Sequence, residues 1–139
     1  MYSITELIPQ RPPIVMVDEF LGIEDGTRSR TRFTVRADHL FVADGVLDEC
    51  GVIEHVAQSA AARVGYLCLG AGRDIALGYI GSVNDFRLFS HPKAGDVIET
   101  EMDVIQEVFN ITLVEAHCRV DGECVASCRM KIFLDDEQA

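Results

Sequence analysis

A run of small and apolar residues from Asp48 to Gly70, DECGVIEHVAQSAAARVGYLCLG, constrains the fold more than any other part of the chain. Ala57, Ser59, Ala60, Ala61, Ala62 and Gly65 give a helix with a thin waist, and Val52, Ile53, Val56, Val64 and Leu67 fill its remaining faces. A helix that is apolar all round is buried on most sides, so the rest of the chain must cover it. Glu54 stands inside this helix, where an ionised group is costly unless paired. Cys50 precedes it at i−4 and Gln58 follows at i+4, placing the three on one face. Two interpretations are open: a carboxylate on a single solvent-facing stripe, or a site carboxylate on a buried central helix.

At 139 residues the chain is expected to form one domain, 1–139, large enough to bury a core without disulfides or metal. Apolar residues at 48% and charged residues at 25% are ordinary for a globular protein. No apolar run approaches the roughly 20 residues of a membrane span, and MYSITELIPQRPP lacks a leader's basic-then-apolar pattern. A cytoplasmic location without membrane contact is the expectation. The five cysteines fit that compartment. Cys124 and Cys128 share one side of a strand-like segment, yet no spacing suits zinc. The cysteines are expected to be small core residues, with no metal or cofactor.

A net charge of −11 argues against binding nucleic acid or an anionic membrane. Thr27–Arg36, TRSRTRFTVR, is a local exception, with arginines at 28, 30, 32 and 36 on one parity. As a strand it puts them all on one face, with Thr31, Phe33 and Val35 on the other. That face is either a solvated outer surface paired with acidic neighbours or a basic landing strip for an acidic partner.

Ser3–Glu6 has capping-box spacing, so a short helix should open near residue 3 and end before Pro9. Pro12–Pro13 should keep the following residues extended. Ile14–Glu24 and the arginine strand flank the hairpin dipeptide Asp25–Gly26, and Asp38–Leu47 reads as loop. Beyond the helix, Ile75–Asn84 and Phe86–Phe89 form a short pair or one bent strand. Val97–Val108, Ile111–Val120 and Glu123–Leu134 are long strands joined near Phe109–Asn110 and by Asp121–Gly122. One long helix with about five or six antiparallel strands is an α+β inventory. Wrapping a helix this apolar in a single curved sheet is the hot-dog arrangement.

Leu7–Pro13 followed by Ile14–Asp18, then Ile53–Gln58, then Gly78–Arg87 with Gly95–Asp96, occur in order and at near-family spacing. Together they resemble the β-hydroxyacyl-(acyl-carrier-protein) dehydratases (3-hydroxymyristoyl/3-hydroxydecanoyl type) over nearly the whole chain. FRLFSHPKAGD and the QRPP opening look most like the subgroup of aryl-polyene-type pigment pathways. The resemblance implies a hot-dog fold, no cofactor, and loss of water from a 3-hydroxyacyl thioester carried on acyl carrier protein or coenzyme A. It also implies a homodimer or higher homo-oligomer with the acyl tunnel at the interface, or a heterodimer with an active dehydratase.

The chemistry requires removal of a C2 proton and protonation of the departing C3 hydroxyl, tasks the family divides between a histidine and the helix carboxylate. Here Glu54 and Gln58 match the helix motif. The backbone N–H groups of Cys50 and Gly51, at the helix start, are candidates for stabilising the thioester oxygen. The family's histidine-bearing loop is replaced by His39–Leu47, and Gln10 stands where the opening motif usually has histidine. His39 is the candidate stand-in. Arg11, Arg87 and Lys93 are candidates for contacting the phosphopantetheine arm or carrier protein. Besides dehydration, Glu54 is compatible with an acyl thioesterase, and the absent histidine with a non-catalytic acyl-binding subunit.

Overall fold

The computed structural model describes residues 2–135. Its central element is the helix α2 at Glu49–Gly70, preceded in the chain by a short helix α1 at Ile4–Leu7. Six strands form one antiparallel sheet: β1 Glu19–Glu24, β2 Arg28–Thr34, β5 Leu77–Leu88, β6 Val97–Val108, β7 Ile111–Val120 and β8 Glu123–Asp135. The spatial order β1-β2-β6-β7-β8-β5 leaves β1 and β5 as edges. Two two-residue strands, β3 Val42–Ala43 and β4 Val46–Leu47, form a separate miniature hairpin leading into α2. The α+β expectation, one long helix held by a six-stranded sheet, is met.

Local chemistry explains most boundaries. The Ser3 amide and hydroxyl both meet the Glu6 carboxylate, at 2.9 and 3.0 Å, and close the first turn of α1. Asp48 caps α2, its carboxylate accepting the Glu49 N–H at 2.9 Å. Asp25–Gly26, Asp44–Gly45 and Asp121–Gly122 all have φ between 52° and 82°, which a two-residue type I′ hairpin turn requires. The second of these lies in the segment expected to be loop and builds β3–β4 there. Pro12–Pro13 lies in a turn closed by the Ile14 N–H on the Arg11 carbonyl at 3.0 Å, just before the Ile14–Met16 segment. Residues 75–89 resolve into one bent strand, with register shifts at Ile80/Ser82 and Asn84/Arg87 and Asp85 at φ 53°.

The concave face of the sheet packs on α2 through Phe33, Ile98, Met102, Val114, Ala116 and Met130, against Val52, Val56 and Ala60. A second cluster of Leu7, Ile8, Phe20 and Ala62 packs α1 on the other side of the helix. Gly65 permits that approach. A Cβ there would collide with the Leu7 carbonyl group, which is backbone and cannot swing away. On the convex face the arginines pair throughout: Arg28 with Asp103, Arg30 with Glu24 and Glu101, Arg32 with Glu19 and Glu99, and Arg36 with Asp18. The arginine face is therefore a solvated charge lattice, and the landing-strip alternative lacks free charge to offer. Such exposed pairs contribute only about 0.2–1 kcal/mol each.

The helix also presents polar groups inward. His55 is fully buried; Nδ1 meets the Met16 carbonyl at 2.7 Å and Nε2 meets the Thr100 hydroxyl at 2.7 Å. The carbonyl only accepts, so Nδ1 carries the proton and Nε2 accepts from the hydroxyl, as in a neutral ring. Burial drives its pKa from 6.5 down to about 4.

Two expectations follow. Between pH 6.5 and about 4 the unfolded chain takes up a proton that folded His55 refuses. Its contribution is complete above that window and lost as pH falls through it, by about 3 kcal/mol. An NMR titration of the His55 ring should therefore show a midpoint near 4, and an ordinary midpoint would contradict the neutral buried ring. Gly65→Ala should lower the urea-unfolding free energy by about 1–3 kcal/mol through overpacking; unchanged stability would contradict the close contact of α1 with α2.

Candidate active site

Gln58 organises the neighbourhood of Glu54. It is 0% exposed, and its Oε1 accepts the Met16 N–H at 2.6 Å. Its Nε2 donates to the Ile14 carbonyl and to Glu54 Oε1, both at 2.9 Å. The amide orientation is forced: one side faces a donor and the other faces two acceptors. The i, i+4 relation brings Gln58 to Glu54, and the Ile14–Met16 strap holds Gln58 in place. Glu54 is half-buried, so its carboxylate is steered by a hydrogen bond without being withdrawn from solvent.

A cavity of about 170 Å³ opens beside Glu54, between α2 and the first half of β5. Ala57, Ala60, Ala61 and Val64 floor it from the helix, and Leu77, Gly78 and Ile80 close it from the strand. The thin waist of the helix is what leaves this space, because alanines at these positions reach only a short way toward the sheet. The cavity is mostly apolar, with the Glu54 carboxylate at one side, and this suits a carbon chain whose reactive end meets an acid/base group. Gln10 also lines it, and its buried Oε1 has no hydrogen-bond partner. The sequence signal for Gln10 was its replacement of the family's opening histidine; nothing in its own chemistry singled it out.

The other candidates fall elsewhere. His39 Nε2 meets the Val15 carbonyl at 3.1 Å while Nδ1 accepts the Phe41 N–H at 3.3 Å. Its ring thus ties the 39–41 turn to the strap, with both nitrogens engaged by main chain in this arrangement. Cys50 and Gly51 occupy the first turn of α2, where amides have no intrahelical acceptor. Gly51 is buried, and a Cβ there would lie 2.7 Å from Phe41 Cβ and 2.8 Å from Leu47 Cδ1, so glycine lets the miniature hairpin pack on the helix start. Neither residue lines the Glu54 cavity. Arg11 donates through Nη1 to the Ile8 and Gln10 carbonyls, each at 2.8 Å, closing the chain after α1. Arg87 and Lys93 are exposed, on β5 and in the β5–β6 loop, away from that lining. Lys93 pairs with Val46 as an isolated bridge, placing it beside the hairpin that leads into α2.

Cys118 and Cys128 are buried within the sheet, and burial raises their thiol pKa values to about 12 and about 11. Both are therefore protonated core residues and poor nucleophiles. Among the described residues no cluster of His, Cys, Asp and Glu is placed to hold a metal ion, and no helix is long and apolar enough to cross a membrane.

Comparison with known proteins places the fold in a family. The 3-hydroxyacyl-(acyl-carrier-protein) dehydratase FabZ of Bacillus velezensis is 28% identical, with 96% of each chain covered. Its counterpart in Vibrio cholerae serotype O1 is 26% identical over 93% of this chain and 87% of that one. Among solved structures, the dehydratase heterocomplex ApeI:P from Xenorhabdus doucetiae matches with a TM-score of 0.90 at 17% identity, covering 99% of this chain and 93% of that chain. A hypothetical thioesterase with coenzyme A from Streptococcus pneumoniae matches more loosely, at TM-score 0.68 and 12% identity over 84% of this chain and 87% of that one. A family model described as ApeP-like, ApeP dehydratase, matches residues 2–139, and the chain belongs to that hot-dog dehydratase family.

Proposed function

We propose that the protein dehydrates a 3-hydroxyacyl thioester, carried on acyl carrier protein or coenzyme A, with Glu54 as the sole acid/base group. The Gln58–Glu54 hydrogen bond at 2.9 Å, set at the mouth of an apolar cavity, is the observation that carries this reading. The Glu54 carboxylate takes a proton from C2, which the thioester acidifies. The resulting carboxylic acid protonates the C3 hydroxyl, the C3–O bond breaks, a C2–C3 double bond forms and water leaves. Negative charge gathers meanwhile on the thioester oxygen, which first-turn amides at Cys50 and Gly51 are suited to stabilise. Lys93, beside the entry to α2, and exposed Arg87 and Arg11 are the cations available to a phosphopantetheine arm.

In one chain β5, which lines the cavity, is a free edge of the sheet. That edge strand exposes Leu77, Tyr79 and Ile80, at 49%, 55% and 43%. A second hot-dog chain, an identical copy or a related one, pairing along β5 would cover these residues and enclose the acyl chain.

One observation favours a second reading, in which the chain is a binding subunit that completes an active dehydratase. The two histidines that meet the Ile14–Met16 strap are both engaged at both ring nitrogens, His39 by main chain and His55 by Met16 and Thr100. A short 3-hydroxyacyl pantetheine thioester incubated with the purified protein separates the two readings by mass. Enoyl product that falls at least 100-fold in Glu54→Gln, equivalent to about 2.7 kcal/mol, supports the enzyme. No conversion by wild type overturns it in favour of the subunit, and free acid would indicate a thioesterase instead. Gln58→Leu should lower both stability and rate, because it strands the Met16 N–H and the Ile14 carbonyl at about 1–3 kcal/mol each. A Gln58→Leu protein as stable as wild type would contradict the clamp.

A further inference from the structure

A second cavity, of about 160 Å³, lies between the C-terminal half of α2 and strands β6, β7 and β8. Its walls are apolar apart from Arg63, Arg73, Glu107 and Thr112. Arg63 is only 7% exposed, and its Nε has no hydrogen-bond partner among the described residues. Among the described residues its guanidinium belongs to no ion pair, Glu107 included. Burial and the distant carboxylate of Glu107 act on it in opposite senses, with burial the larger. A buried cation without a close anion is costly to keep and contributes nothing to packing that a methionine would not.

The position of this cavity suggests a use for that cation. Ala60, Val64 and Ile132 line both it and the Glu54 cavity, so the two abut across a single layer of apolar side chains. Arg63 follows Glu54 by nine positions, about 14 Å along the helix. An engineered apolar cavity of similar size is known to accept benzene, so the space suits the last several atoms of a chain. Two cations face it against one carboxylate, in a chain whose net charge is −11.

We propose that this cavity receives the far end of the acyl chain and that Arg63 selects chains ending in a carboxylate or similar oxygen acceptor. The inference rests on the reading of Glu54 as the site of the thioester. A methyl-ended chain entering here would leave the guanidinium facing carbon. A carboxylate would instead supply a charge-assisted hydrogen bond. Sites built around a buried polar group discriminate strongly against ligands that leave it unpaired.

The test is calorimetric binding of two saturated medium-chain acyl pantetheine thioesters of equal length, one methyl-ended and one ω-carboxylate-ended. Neither carries a 3-hydroxyl group, so neither can be dehydrated. Wild type should bind the carboxylate-ended probe at least tenfold tighter. Arg63→Met should abolish or invert that preference, and Arg63→Lys should retain part of it. Should Arg63→Met fail to fold, the wild-type pair and Arg63→Lys still decide. Equal affinities, tighter binding of the methyl-ended probe, or no binding of either by wild type overturns the assignment, as does a preference that survives Arg63→Met. Conversion of the short substrate without a preference here rejects this assignment alone. A preference here without conversion there rejects the dehydratase reading alone.

Discussion

The fold depends on how α2 grips the strap Ile14–Met16. Gln58 takes the Ile14 carbonyl and the Met16 N–H, and His55 takes the Met16 carbonyl, so three main-chain groups that no strand serves are satisfied by one helix face. The two Met16 contacts lie in the interior, where an unmade bond would cost the full desolvation of its group, while the Ile14 contact is part-buried. The geometry is correspondingly exacting: shifting α2 along its axis would break all three contacts together. Because Gln58 also holds Glu54, the interaction that seats the helix is the one that aims the carboxylate.

Around that lock the chain is organised by side-chain size. Gly65 lets α1 lie against the helix backbone, and Gly51 lets the β3–β4 hairpin lie against its start. Ala57, Ala60 and Ala61 face β5 and leave space that larger residues would have filled. Small residues thus serve two opposite ends on one helix, permitting contact at some positions and preserving a cavity at others. The sheet keeps its charges outside in a lattice of exposed pairs and puts its bulk inside, through Phe33, Ile98, Met102 and Met130.

Much of this was legible in residue order. The span of α2 and the long strands β6, β7 and β8 follow from apolar patterning and Asp–Gly or Asn turns, because these are local signals acting within a few residues. The β3–β4 hairpin was missed although Asp44–Gly45 carries the same dipeptide as the other two turns; its arms are only two residues long, too short for alternation to register. The pairing of Glu54 with Gln58 was visible as an i, i+4 relation. The contacts of His39, His55 and Gln58 to the strap were not, because the strap offers only main-chain groups, 24 to 44 residues away and without side-chain identity. Arg63 was silent and Gln10 stood out only as the replacement of a family histidine; what distinguishes both in the fold is an unpartnered buried atom, a property of the folded surroundings.

The account holds that a clamped carboxylate, unaided by histidine, faces the reacting carbons while the helix start faces the thioester oxygen. A crystal structure with a 3-hydroxyacyl pantetheine analogue, its thioester sulfur replaced by an amide nitrogen, tests this most directly. The account predicts C2 and the C3 hydroxyl within hydrogen-bonding reach of Glu54 and the analogue's carbonyl oxygen at the Cys50 or Gly51 amide. An acyl chain lying elsewhere, or a histidine of a partner chain standing at C2 in place of Glu54, would contradict it.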